Sequence, residues 1–186
     1  LAVDDAFTST ATVVITALPT APTTTGAASC SPAALVLTAS GASAGQFRWY
    51  TVASGGTAIA GQTNATFTTP LISSTTTYYA AINNGTCESI RTAVIATINT
   101  PPAAPTTTGA ALCGSGSVTL TASGGTAGQY RWYTVATGGT ALAGETNTSY
   151  TTPTLTGTTT YYVAINNGTC ESSRTAVVAT INTPPT

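Results

Sequence analysis

The stretch "NNGTCESIRTAV" (Asn83–Val94) returns as "NNGTCESSRTAV" (Asn166–Val177), with one difference, Ile90 against Ser173. Asn-Gly between two runs of β-formers is a hairpin signal, and the turn it predicts is a two-residue type I′ loop. "TTTYYAAIN" (Thr75–Asn83) before it and "CESIRTAVIATI" (Cys87–Ile98) after it read as antiparallel strands. The fold class turns on this hairpin, which the chain states twice.

Outward from the hairpin the repetition continues. Cys30 recurs as Cys113, Trp49 as Trp132, Cys87 as Cys170 and Pro101 as Pro184, each 83 positions on and without a gap. Such a period is too long for a solenoid repeat and close to one small β-sandwich of about 100 residues. Further strands are expected at Ala34–Ser40, Gln46–Val52, Ala58–Gly61 and Ala65–Pro70. Leu35, Leu37 and Ala39 share one face of the first of these, matched by Val118, Leu120 and Ala122 in the second copy. The reading is all-β, with two tandem sandwich domains at residues 20–102 and 103–186. "NTPPAAPTTTG" (Asn99–Gly109) reads as a semi-rigid linker between them, because proline fixes φ and favours extended backbone.

Residues 1–19 do not repeat. Thr10, Ala11, Thr12, Val13, Val14, Ile15, Thr16, Ala17 and Leu18 read as a strand with one apolar face. It has no preceding strands to join, so it is expected either to fold onto its own chain or to be donated to the sheet edge of a neighbouring copy. The second arrangement would build a head-to-tail fibre.

Charge narrows the function. Only 5% of residues are charged and the net charge is −1; there are four arginines, no lysine and no histidine. No nucleic-acid partner is expected without a basic footprint. Neither polybasic attachment to a membrane surface nor direct insertion is expected, since no apolar run approaches about 18 residues. Nothing at Leu1 resembles a signal peptide, so the chain is expected to be either already processed or an excerpt, and "NTPPT", standing where another linker would start, leads to the expectation that the protein continues beyond Thr186. Threonine dominates, which suits strands and gives an uncharged, hydroxyl-rich surface whose self-association should respond little to salt.

Catalysis finds little material. Histidine-based triads are unavailable, and the first repeat carries one carboxylate, Glu88, where a glycosidase pair needs two. No enzyme activity and no cofactor are expected. Cys30, Cys87, Cys113 and Cys170 allow three connectivities, and the shared spacing of 57 residues within each copy predicts Cys30–Cys87 and Cys113–Cys170. Persistent disulfides imply an oxidising, extracytoplasmic location. A metal site is the rival reading, but no histidine and no Cys-x-x-Cys support it. Glu88 with Arg91, and Glu171 with Arg174, read as surface ion pairs; a sugar- or carboxylate-binding hairpin is the alternative. Trp49 and Trp132 read as core tryptophans beside the disulfides, with a carbohydrate platform as the alternative. Tyr50, Tyr78 and Tyr79 are the other platform candidates, should they face outward. Asp4 and Asp5 alone fall short of a calcium ligand set.

"RWYTVASGGTAIAG", "FTTP", "TTTYYAAINNGTCESIRTAV" and their copies resemble an immunoglobulin-like domain family of Bacteroidota. The resemblance covers both 83-residue units. That family occurs in tandem in secreted and cell-surface proteins, often beside the sorting module of type IX secretion. It implies two Ig-like sandwiches that are secreted or displayed at the cell surface and are not catalytic. The expected function is a structural repeat of an extracellular stalk, adhesin or filament, with other copies of the chain as partner. The alternative is a carbohydrate-binding or spacer module of a secreted polysaccharide-degrading enzyme, with surface polysaccharide as partner.

Overall fold

A computed structural model describes residues 15–184, which form fourteen strands in four sheets and no helix. In the first repeat β1 (Thr23–Thr25), β3 (Val36–Ser40) and β5 (Thr66–Thr68) make a three-stranded sheet in the order β1-β3-β5. The facing sheet has β2 (Ala27–Ser29), β4 (Phe47–Tyr50), β6 (Thr76–Ile82) and β7 (Thr92–Ile98) in the order β2-β7-β6-β4. The second repeat reproduces this. Its three-stranded sheet holds β8 (Thr106–Thr108), β10 (Thr119–Ser123) and β12 (Ser149–Thr151). Its four-stranded sheet holds β9 (Ala110–Cys113), β11 (Tyr130–Tyr133), β13 (Thr159–Ile165) and β14 (Thr175–Asn182).

Period-2 alternation explains the central strands. Along β3 and β10 every second residue is buried, Leu37 and Ala39 in one, Leu120 and Ala122 in the other. Opposite them Trp49 and Trp132 are wholly buried, each tilted against the aromatic ring of the next layer, Phe67 at 5.4 Å and Tyr150 at 5.6 Å. Each indole N–H donates to a loop carbonyl, that of Asn64 or Asn147, at 3.0 Å, so no polar atom of the indole is stranded. Phe67 and Tyr78 close the first core; Tyr150, Tyr161, Val163 and Val177 close the second. The one residue by which the hairpin phrases differ, Ile90 against Ser173, is 73% exposed as isoleucine, so the core does not constrain it.

Four strand-level features correct or add to these expectations. First, the linker is shorter than Asn99–Gly109, because Thr106–Thr108 is β8, paired antiparallel to β10 with Thr108 opposite Thr121. Second, the chain crosses from one sheet to the other at Gly26 and at Gly109. A Cβ at either would collide with a backbone carbonyl oxygen, that of Ile95 or Val178, so only glycine lets the chain pass this close. Third, Ala58–Gly61 forms no strand; it is a turn whose Ile59 N–H donates to the Trp49 carbonyl at 2.7 Å. Fourth, the hairpin turn is not type I′, which needs two positive φ values. Gly85 has φ 95°, while no non-glycine residue described has a positive φ. Instead Asn84 Oδ1 accepts from the N–H groups of Thr86 (3.0 Å) and Cys87 (2.8 Å), closing a wider loop behind the Asn83–Glu88 bridge.

The donor segment is only partly within view. Thr10, Ala11, Thr12, Val13 and Val14 lie outside the described residues, as do Asp4 and Asp5. Ile15, Thr16, Ala17 and Leu18 form no strand and are exposed, Ile15 at 90%.

By its contacts the chain divides into two compact units. One comprises the described residues up to Ala27 with Ala34–Leu71 and Thr75–Thr97; the other comprises Ala28–Ala33, Ile72–Ser74 and the chain from Ile98 onward.

Candidate functional site: a tyrosine clamp and the cysteines

The polar residues of the hairpin phrase converge on one tyrosine in each repeat. β4 ends on Tyr50 and β11 on Tyr133, both buried at 5% exposure. Tyr50 Oη donates to Glu88 Oε1 at 2.6 Å, and Tyr133 Oη lies 2.8 Å from both carboxylate oxygens of Glu171. The arginine three residues further along lies flat on the same ring: Arg91 Cζ is 3.3 Å from the Tyr50 centroid, and Arg174 Cζ is 3.2 Å from that of Tyr133. Its Nη1 then donates to two carbonyls of the glycine turn, Val52 and Gly55 at 2.8 Å each, or Val135 and Gly138 at 2.8 Å each. One guanidinium thus ties the return strand to the loop after the tryptophan strand, through stacking and a forked pair of bonds that a point charge could not reproduce.

The expected ion pair of Glu171 with Arg174 is present, and in both repeats the tyrosine is a second and closer partner of these side chains. In the second unit Arg174 Nε stands 4.0 Å from Glu171 Oε1, at the outer limit of such a pair, whereas the tyrosine contact is much closer. Charge and burial together raise the phenol pKa. Burial is the main cause at Tyr50 and at Tyr133; the carboxylate adds to it through its hydrogen bond and its charge, and the arginine partly opposes both.

The platform candidates do not form an outward row. Tyr50 and Tyr78 are buried, Tyr79 is half-buried, and the tryptophans are core. The polar surface consists of hydroxyls instead. The outward face of β8, β10 and β12 carries Thr106, Thr108, Thr121 and Ser123, with cross-strand pairs such as Thr106–Ser123 at 2.7 Å and Thr119–Thr151 at 3.1 Å. Among the described residues no group of three His, Cys, Asp or Glu side chains comes together.

The cysteine pairing expected from the spacing is wrong. Cys30 is bonded to Cys170, with Cα atoms 5.7 Å apart, and Cys87 and Cys113 are free thiols. Topology gives the reason. β9 runs parallel to β14 and sets Cys113 beside Asn182, at the end of that strand, while Cys170 precedes its start at Thr175. The eight residues of β14 span about 25 Å, whereas disulfide Cα atoms lie about 4.4–6.8 Å apart. A bond within one repeat is therefore out of reach, and the core tryptophans pack against aromatic rings, Phe67 and Tyr150.

The model of the family described as "Ig-like domain CHU_C associated" matches residues 19–100 and 102–184, nearly the whole chain. No curated protein sequence matches it. Similar solved structures include a three-immunoglobulin segment of titin, in an E-to-A mutated variant. It is 11% identical with a TM-score of 0.41, and the match spans 90% of this chain and 65% of that one. A structure of a mouse coronavirus receptor-binding domain with its murine receptor is 14% identical with a TM-score of 0.41, covering 86% of this chain and 96% of that one. Murine CEACAM1b is 15% identical with a TM-score of 0.36, covering 88% and 100%.

Proposed function

The chain belongs to the CHU_C-associated family of Ig-like domains, and on that premise we propose that it is a non-catalytic extracellular structural module, a repeat of a cell-surface stalk or filament exported by type IX secretion. The observation that carries this reading is where the reactive side chains go. In each repeat the tyrosine, glutamate and arginine of the signature bond to one another and to backbone, which spends them on holding the sandwich together. What is left outward is a hydroxyl-covered sheet of low charge, suited to a spacer that must stay inert among other surface molecules. Self-association through donation of Thr10–Leu18 to a sheet edge of a neighbouring copy is the finer part of the proposal, supported by the exposure of Ile15 and Leu18.

A carbohydrate-binding role is the second reading, favoured by the shallow recess between Thr106, Thr108, Thr121, Ser123 and Thr148. Affinity electrophoresis through gels containing soluble polysaccharides separates the two: a stalk migrates unretarded, and retardation abolished by Thr121→Val would establish the binding module instead. Electron microscopy of the intact chain beside one lacking residues 1–18 tests strand donation. Fibres from the intact chain alone support it, and fibres from both or from neither overturn it.

A further inference from the structure

The bonded and free cysteines are related by the repeat. Cys113 occupies in the second repeat the place of Cys30 in the first, and Cys87 occupies in the first the place of Cys170 in the second. The bond that forms therefore joins the strand-end cysteine of one repeat to the hairpin cysteine of the repeat that follows. Applied once, this rule uses two cysteines and leaves two. We infer that Cys113 and Cys87 are the open ends of a disulfide ladder, and that Cys113 of one chain bonds to Cys87 of a second copy, head to tail.

Local geometry supports the inference at both ends. The hairpin that presents Cys87 has the shape of the one that presents bonded Cys170. In each the cysteine N–H donates to an asparagine Oδ1 at 2.8 Å, from Cys87 to Asn84 and from Cys170 to Asn167, and the loop closes at 3.1 Å. Cys113 ends β9 beside Asn182, with the next N–H, Gly114, donating to the Asn182 carbonyl at 2.9 Å; next to Cys30, the Asn99 N–H donates to Ser29 at 2.8 Å. Exposure differs in the way an unfilled site should. Bonded Cys170 is 3% exposed and Cys30 is half-buried, whereas free Cys87 is half-buried and Cys113 is exposed. Each open end is more accessible than its bonded twin.

The oxidant is a small-molecule disulfide. The Cys113 thiolate attacks one of its sulfurs, forming a mixed disulfide and expelling one thiol. The Cys87 thiolate of the second copy then attacks the Cys113 sulfur and expels the other. Two protein thiols and one disulfide become one protein disulfide and two small thiols, so the two electrons lost by the cysteines reduce the reagent.

The proposal deepens the self-association part of the structural reading but rests on cysteines and not on the N-terminal segment. The experiment incubates the chain in a mixture of reduced and oxidised glutathione and resolves it on a non-reducing gel. The expected result is a ladder that collapses on reduction, with a Cys87–Cys113 crosslink between chains in the peptide map. Cys87→Ser and Cys113→Ser should each lose the ladder and stay monomeric, and their mixture should give a dimer and nothing larger. Three outcomes overturn the proposal: symmetric dimers from either variant alone, a Cys87–Cys113 bond inside one chain, or both thiols still titratable after oxidation. Because the map is made on the unsubstituted chain, misfolding of a variant cannot hide the answer. Loss of the ladder with fibres intact would remove the covalent link and leave strand donation standing; the reverse would do the opposite.

Discussion

Arg174 is the residue on which the most contacts of the signature depend. It stacks on Tyr133, bonds two carbonyls of the Val135–Gly138 turn and has a side chain only 14% exposed. Lysine keeps the charge but can neither fork nor stack as a plane, so Arg174→Lys should destabilise the second unit by about 1–3 kcal/mol, read from denaturant unfolding. Buried phenols set an alkaline limit. The phenols of Tyr50, Tyr133 and Tyr150 have folded pKa values above the ordinary tyrosine value, chiefly because they are buried. The folded state thus holds these protons more tightly than the unfolded chain. Their contribution is complete below the ordinary value near 10 and is lost as pH climbs from there through the folded values. Thermal midpoints should stay level across neutral pH on this account and fall above about pH 10. Tyr133→Phe should flatten that fall for the second unit; an unchanged alkaline slope would place its origin elsewhere.

At the scale of the element, strands that alternate and strands that do not were unequally legible. β3, β6, β10 and β13 follow from burial at every second residue and from Thr-Tyr-Tyr before the hairpin. "TTTG" carries no such alternation, and its threonines and prolines read equally well as linker, so β1 and β8 were hidden. The glycine held the clue, being the one residue able to pass under the Ile95 or Val178 carbonyl as the chain changes sheets. Gly109→Ala should cost the second unit at least about 2 kcal/mol, measured by thermal unfolding against an exposed control such as Gly157→Ala, whose Cβ would meet open space. The clamp was half legible. Glutamate and arginine announce each other at a spacing of three, but their tyrosine lies 38 residues before the glutamate on another strand. Only the joint recurrence of all three at the repeat period links them. The cysteines misled because spacing records what is duplicated, while pairing depends on which end of the sandwich each residue reaches. A strand-end cysteine before the first core strand and a hairpin-tip cysteine after the penultimate one sit at opposite ends.

For the whole molecule, the bond from Cys30 to Cys170 changes how the chain bears load. It closes a loop of 140 residues and holds its end Cα atoms 5.7 Å apart, so tension applied at the termini bypasses every residue between them. At about 3.6 Å per extended residue, reducing the bond frees about 50 nm of contour length once the repeats unfold. Two bonds, one within each repeat, would instead lock two loops of 57 residues and free about 40 nm. Single-molecule extension with and without reductant distinguishes these directly, and the larger gain is expected. A rule that joined each repeat to the next along a stalk would repeat this covalent bridge at every junction. Extension under oxidising conditions would then stay short until bonds were reduced, whatever the thermodynamic stability of the individual sandwiches. The mechanical behaviour of such a stalk would be governed by the redox state around it, with sandwich unfolding entering only after the bridges are broken. A reduced and an oxidised chain of equal extensibility would show that the Cys30–Cys170 bond carries no load.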